Sequence, residues 1–297
     1  MRDFIPVVIT IQEMLTQIHL VICHHSETPA LDAQALVAHF LDKPRSWVVA
    51  HPEAHINDYQ YKKTIEGLVR LEGGEPLPYV IGHWEFFGFD FYLTPDVLIP
   101  RPETELLVER GISWLQNHPN KRMVIDVGTG SGCIGIVLAM NIPDLKVLMT
   151  DISPNTLDVA RINAEKYGIS DRLEFRQTDL LDGIIAHYDL ICANLPYIPS
   201  QELRKLPVAE SEPLLALDGG KSGIELITRL LDQARNCLAP GGLMLLEIEA
   251  SQGADLKFIA ESFFPASRVE ILKDLSGWDR CIEITPTNYL LHLCQHK

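Results

Sequence analysis

The chain has little of what would tie it to nucleic acid, to a membrane or to a metal. Positive charge is in deficit: 25 lysines and arginines stand against 40 aspartates and glutamates, a formal net charge of -15 in 297 residues, and the pI is ≈ 5.1. Neutralising phosphates takes a basic face, so stable nucleic-acid binding is not expected. No apolar run approaches the ~20 residues that span a bilayer. The start, Met1 to Thr10, holds a short apolar stretch, but Pro6 interrupts it, Glu13 follows, and no small-residue cleavage site of the secretory kind is seen. A cytoplasmic location without membrane attachment is the expectation. The six cysteines (Cys23, Cys133, Cys192, Cys237, Cys281, Cys294) are scattered, several of them in apolar runs, with no Cys-x-x-Cys pair. They read as reduced core thiols. His24-His25 has no metal-ligand spacing to any cysteine, so no metal is expected. Internal repeats and low-complexity tracts are absent.

What is present changes texture along the chain. Residues 10–75 read as helices. Ile11, Met14, Leu15, Ile18 and Ile22 recur at helical spacing, Leu31–Leu41 fits a second helix, and Asp58 is placed to cap a third carrying Tyr61, Ile65, Leu68, Val69 and Leu71. Gly73-Gly74-Glu75-Pro76-Leu77-Pro78 then breaks the pattern. The aromatic stretch from Trp84 to Leu93, centred on Gly88, reads as a β-hairpin, and Ile99-Pro100-Arg101-Pro102-Glu103-Thr104 closes this linker. Thr104 is placed to cap a helix from near Glu105 to Trp114. From Met123 onward strand and helix alternate. Strands fit 123–127, 146–150, 173–176, 188–193 and 243–248; helices fit 134–140, 155–167 and 223–237. Two late strands, 268–273 and 280–285, form an antiparallel hairpin around Leu275-Ser276-Gly277-Trp278. Such alternation predicts an α/β fold: a doubly wound, mostly parallel, Rossmann-like sheet with an antiparallel last strand, and ligands at the carboxyl ends of its strands. The expected division is a helical domain over 1–78, a β-hairpin linker over 79–104 and the α/β domain over 105–297.

The first α/β strand runs into Gly128-Thr129-Gly130-Ser131-Gly132, and a helix starts at once. Glycines there permit a tight turn and close approach of a ligand to the backbone. Asp151 ends the second strand about 20 residues on, where a carboxylate accepts from ribose hydroxyls; this suits a nicotinamide dinucleotide and an adenosylmethionine alike. The third strand ends before Asp179-Leu180. Asp179 reads as an acceptor for an adenine amino group or as a loop cap, with Leu180 packing on the ring. Against a dinucleotide stands the missing last glycine of Gly-x-Gly-x-x-Gly: Cys133 occupies that place.

The fourth strand ends in Asn194-Leu195-Pro196-Tyr197. This closely resembles the Asn-Pro-Pro-Tyr motif of methyltransferases that act on amino groups conjugated to a π-system, namely adenine N6 or a glutamine amide. Such a nitrogen is a poor nucleophile because its lone pair is delocalised. It needs two fixed acceptors for its N–H groups, one from the Asn194 side chain and one from the next backbone carbonyl, and Tyr197 to stack on its plane. The gain is placement and electrostatics, with no strong base. Leu195 departs from the motif's proline; it keeps the carbonyl and, before Pro196, the bias to extended backbone.

Five stretches extend the resemblance to the whole chain: Glu75–Gly82, Phe86-Phe87-Gly88 with its hairpin, Leu98–Glu105, the span from the glycine loop to Tyr197, and Glu212-Pro213-Leu214-Leu215-Ala216-Leu217-Asp218-Gly219-Gly220. The tail Asp274–Arg280 looks like the same family's final hairpin. All resemble the bacterial release factor glutamine methyltransferases. The resemblance implies S-adenosyl-L-methionine as cofactor and N5-methylation of the glutamine in the Gly-Gly-Gln loop of class 1 peptide chain release factors. It implies cofactor contacts from Gly128, Thr129, Gly130, Ser131, Gly132, Asp151, Asp179, Leu180 and Asn194, although Leu180 stands where the family often has an aromatic. Asn194, Leu195, Pro196 and Tyr197 would hold the glutamine, and the helical domain would help dock the release factor. Arg101 and Glu103 are expected on the substrate side, or as a salt bridge fixing the linker. Glutamine methylation of a ribosomal protein, N6-adenine methylation and a non-enzymatic adenosine-binding module are the alternatives.

Overall fold

A computed structural model describes residues 9–24 and 26–286. The amino-terminal run through Pro6, His25 and Cys294 lie outside the described residues. The chain divides into two compact units between His83 and Trp84.

The first unit is helical. Two-residue strands, β1 (Ile9–Thr10) and β2 (His55–Ile56), pair antiparallel. Between them run α1 (Ile11–Ile22), α2 (Pro29–Leu41) and α3 (Arg45–Ala50), and after β2 come α4 (Asp58–Glu72) and α5 (Leu77–Ile81). Ile11, Met14, Ile18 and Ile22 form the buried stripe of α1, as helical spacing requires. Two expectations need correction. The cap of α4 is Asn57, whose side chain accepts from the Gln60 N–H (2.9 Å) while Gln60 accepts from the Asn57 N–H (3.2 Å). Asp58 is instead the first helical residue, where its charge still favours the positive helix end. Val69 is exposed; the buried face of α4 is Thr64, Gly67, Leu68 and Leu71.

The second unit opens with a hairpin, β3 (His83–Phe86) and β4 (Phe89–Tyr92), the aromatic pair expected from composition. Then follow α6 (Glu105–Asn117), β5 (Met123–Val127), α7 (Cys133–Asn141), β6 (Lys146–Asp151), α8 (Pro154–Lys166), β7 (Leu173–Gln177) and β8 (Tyr188–Ala193). Two short helices, α9 (Ser200–Leu203) and α10 (Val208–Ser211), precede α11 (Glu225–Ala234), β9 (Leu238–Glu247), α12 (Gly253–Phe263), β10 (Ser267–Lys273) and β11 (Asp279–Pro286). The seven-stranded sheet has the order β10-β11-β9-β8-β5-β6-β7. β9, β8, β5, β6 and β7 run parallel; β11 is antiparallel to both β9 and β10. The doubly wound sheet with its antiparallel last strand is the one the alternation predicted. β9 begins earlier than expected because Pro240-Gly241-Gly242 is absorbed as a bulge and does not break the strand; the register slips between Tyr188 and Leu190. The central strands are buried on both faces, so Ile125, Val127, Ile191, Ala193, Met244 and Leu246 read as apolar runs and not as alternation. Four of the five described cysteines are buried and all five are free thiols.

Chain order reverses between β5 and β8, which lie side by side with Val127 opposite Ala193. At such a switch point the loops leaving adjacent strands turn to opposite faces and open a crevice. The glycine loop leaves β5 there, and Asn194-Leu195-Pro196-Tyr197 leaves β8.

Candidate active site

The crevice is a cleft of about 1140 Å³, open to solvent. One wall is Gly128–Ser131 with Asp151; another is Thr178, Asp179 and Leu180; Asn194, Leu195 and Pro196 face them, and Pro100, Arg101 and Thr104 close the end. The site residues singled out in the sequence all line it, with three exceptions. Gly132 has φ +86°, but a side chain there would meet Ile136, Met149 and Ala160, so it serves the packing of α7 and not the cleft. Tyr197 and Glu103 do not line the cleft.

The glycine loop is braced from beneath. Gly128 and Gly130 take left-handed backbone, which glycine adopts without a Cβ penalty. Gly128 and Thr129 donate to the Thr150 carbonyl (2.9 and 2.8 Å). Asp126, fully buried at the middle of β5, accepts from the Thr129 hydroxyl (2.6 Å) and the Gly135 N–H (3.0 Å). Its Oδ1 has no partner, and burial pushes its pKa up to about 6 against the pull of those two bonds. Asp151 accepts from the Gly130 N–H (3.2 Å) and the Ser153 N–H (3.0 Å), and burial raises its pKa. Each carboxylate oxygen retains further acceptor capacity, and Asp151 lines the cleft. Open space lies where a Gly130 side chain would stand. An anionic acceptor at a strand end beside a bare backbone loop fits an adenosine cofactor's ribose and tail.

Asn163 was not visible from the sequence. Fully buried on α8, it donates to the Ser131 carbonyl (2.9 Å) and the Tyr92 carbonyl (3.0 Å) and accepts from the Tyr92 N–H (2.7 Å). One side chain thus ties the hairpin to the glycine loop. Its only signal was an amide among the apolar positions of that helix.

The structure adds partners or backbone detail at three further residues. Asp179 neither caps its loop with its side chain nor stands free: it pairs with Arg229 at 2.8 Å. Arg101 does not pair with Glu103. Its partner is the buried Glu212, which also accepts from the Ile99 N–H (3.2 Å). Glu212 therefore joins two of the stretches that carried the family resemblance. Leu180 has φ +54°, uncommon for a residue with a side chain, and its buried side chain joins the cluster under the cleft. Cys133 lines the cleft, but burial pushes its thiol up to about 12, far from a reactive thiolate.

The turn after β8 is held on every side. Leu195, 4% exposed, lies where a Gly128 side chain would otherwise be, with its Cδ2 2.9 Å from that position. The non-proline side chain is thus seated against the glycine loop. The Tyr197 carbonyl accepts from Gln252 (2.9 Å). The Asn194 Nδ2 donates to the Thr104 hydroxyl (3.0 Å). Thr104 was expected to cap α6; it has helical backbone and no capping bond, because its hydroxyl is spent on the site. Tyr197 reaches with its hydroxyl to Glu247 at 3.5 Å. Glu247, at the end of β9, is 2% exposed, and sequence reasoning missed it; an acid closing the run Leu243-Met244-Leu245-Leu246 was the available clue.

Comparison with known proteins gives this arrangement its class. The family model described as Methyltransferase small domain matches residues 103–210, within the second unit. A crystal structure of a methyltransferase from Pyrococcus furiosus shares its fold, with a TM-score of 0.51 and 19% identity over 68% of this chain and 91% of that one. The model described as PrmC N-terminal domain matches residues 13–82. Release factor glutamine methyltransferases of Moorella thermoacetica and Koribacter versatilis are 38% and 37% identical to it, each over 86% of this chain and 90% of its own length. The chain belongs to the release factor glutamine methyltransferase family.

Proposed function

We propose that this chain transfers a methyl group from S-adenosyl-L-methionine to the side-chain amide nitrogen of the glutamine in the Gly-Gly-Gln loop of class 1 release factors. The observation that carries the reading is the orientation of Asn194. Its Nδ2 is committed to Thr104, so its Oδ1 is left as an acceptor at the cleft wall. An acceptor is what a substrate NH2 requires.

Gly128–Ser131 and Asp151 would hold the cofactor, with Leu180 under its base. The cofactor supplies an electrophilic methyl on a sulfonium. Asn194 Oδ1 and the Leu195 carbonyl would accept the two amide N–H groups and so orient the nitrogen lone pair for methyl transfer. The nitrogen held there would give up one amide proton to water in exchange for the methyl. Asn194, Leu195 and Pro196 contribute placement, worth several powers of ten in rate when reacting atoms are held near contact, and the two acceptors contribute electrostatic stabilisation as positive charge grows on nitrogen. Tyr197, fixed through its hydroxyl and its carbonyl, supports the turn from behind the cleft wall. Arg101, paired with Glu212 and lining the cleft, would meet the substrate backbone. The first unit, matched over 13–82 by a domain model of this family, serves release-factor docking.

Purified protein with methyl-labelled cofactor is expected to label a release factor, and a Gly-Gly-Gln to Gly-Gly-Ala change in that factor to abolish the label. Ribosomal protein and DNA run in parallel test the other amide and amine substrates. Label in either, with none in the release factor, overturns the reading.

A further inference from the structure

Gln252 has a local task that does not account for it. Its Oε1 accepts from the Glu249 N–H (3.3 Å) in the capping box that starts the turn over Ala250–Gln252. A box of this kind asks only for an acceptor at its last position, and glutamate serves there as well as glutamine. Yet Gln252 is 8% exposed, and its Nε2 takes no part in the box.

That nitrogen donates to the Tyr197 carbonyl (2.9 Å) and, at longer range, to the Gly223 carbonyl (3.4 Å). The amide has one permitted orientation. A backbone N–H only donates and a carbonyl only accepts, so half a turn would set oxygen against two carbonyls and NH2 against an N–H. Gly223 keeps the other side of the Tyr197 carbonyl clear. A Cβ there would lie 2.3 Å from that oxygen, and its left-handed backbone, φ +82°, is one that glycine takes freely. The Tyr197 oxygen therefore sits between a bare glycine and a donor.

The upstream end of the same turn is fastened where Asn194 Nδ2 donates to Thr104 (3.0 Å) and the Leu195 side chain is seated against Gly128. The Leu195 carbonyl, the second acceptor for the substrate amide, lies between the two fastenings, and Pro196 removes one backbone rotation from the span. We propose that Gln252 is a positioning residue for methyl transfer: by holding the Tyr197 carbonyl it fixes the downstream end of the turn, and with it the direction of the Leu195 carbonyl. It ties the turn that leaves β8 to the segment that leaves the neighbouring strand β9. The donor, and not the cap, is the reason for glutamine at this position.

This inference rests on the proposed amide substrate, so its test has an arm that needs no substrate. Tyr197-Ile198 is the one Tyr-Ile pair in the sequence. Protein labelled with carbonyl carbon-13 in tyrosine and nitrogen-15 in isoleucine therefore gives a single carbonyl–amide correlation, whose carbon resonance reports the hydrogen bond. Gln252→Glu keeps the volume and the acceptor that the cap uses, and removes only the donor. Gln252→Met keeps the length and removes both. In each variant the Tyr197 carbonyl resonance is expected to move upfield, as a carbonyl does on losing its donor. In release-factor methylation, counted per cofactor-binding site, kcat should fall by about 10- to 100-fold, while KM for the release factor and cofactor Kd stay within about threefold. Gln252→Glu should remain folded under assay conditions, because a carboxylate at the start of α12 suits the positive helix end. A Tyr197 carbonyl that does not move in either variant overturns the proposal. So does a Gln252→Glu protein with the parent's kcat, which would leave the residue as a cap alone, and so does a loss that falls on KM or cofactor affinity and spares kcat. Failure of the parent to label a release factor, with the carbonyl shift intact, sinks the substrate reading alone; the rate arm is then read on ribosomal protein or DNA, whichever the parent labels.

Discussion

Replacing Gly219 with alanine is the sharpest test of the idea that the Asn194–Tyr197 turn works by placement. Gly219 sits directly behind it. A Cβ there would lie 2.7 Å from Tyr197 Cα, 2.8 Å from the Pro196 carbonyl oxygen and 2.8 Å from Tyr197 C. All three are backbone atoms, so no rotamer change relieves the clash. The Gly219 loop cannot recede either: Gly219 donates to the Ile198 carbonyl (2.9 Å) and Ile198 donates to the Leu217 carbonyl (3.2 Å), a two-way stitch. Ordinary contact begins near 3.4 Å, so the turn must yield by roughly 0.7 Å. Movement of that size in a positioning group costs on the order of 10- to 100-fold in rate, or about 1.4–2.7 kcal/mol in the barrier. Overpacking of this kind costs about 1–3 kcal/mol in stability, which leaves most of the protein folded at 25 °C. Single-turnover methyl transfer to a release factor should therefore fall while cofactor affinity, measured by calorimetry, stays within about threefold, because the glycine loop and Asp151 are untouched. A folded Gly219→Ala protein with the parent's turnover would refute the reasoning: the turn would then tolerate displacement, and placement would not be its contribution.

Asn194→Ala removes the oriented acceptor and is expected to lower kcat by ~100-fold or more; turnover close to the parent's would take Asn194 out of the mechanism. Glu212→Ala leaves the Ile99 N–H and the Arg101 guanidinium without their buried acceptor, and should cost about 1–3 kcal/mol in urea unfolding, with no such loss for Glu103→Ala. Asp126 carries a pKa raised to about 6 by burial. The folded state holds this proton more tightly than the unfolded chain, so stability should fall as pH rises from about 4 to about 6, by up to about 3 kcal/mol. Asp126→Asn should flatten that part of the stability–pH curve, and an unchanged slope would place the titration elsewhere.

The sequence by itself determined the order of elements and much of the cleft. Period-3.6 stripes, buried apolar runs and glycine turns are local, and they foretold the helical first unit, the hairpin, the parallel strands and the antiparallel last strand. The glycine loop, Asp151 and the Asn194 turn were legible because each sits at a strand end, and a doubly wound sheet brings the ends of neighbouring strands together. Only the tertiary structure decided the partners. Arg101 is near Glu103 in sequence, but the chain returns Glu212 to it from 111 residues away. Thr104 looked like a helix cap until the fold showed its hydroxyl turned to Asn194, 90 residues on. Asn163 and Glu247 carried no local motif at all, and Gly219 stood in a recognisable stretch without any sign of what it packs against. Their roles depend on which backbone or side chain lies a few ångströms away, and a charge or a glycine in one segment says nothing about that until the sheet has closed.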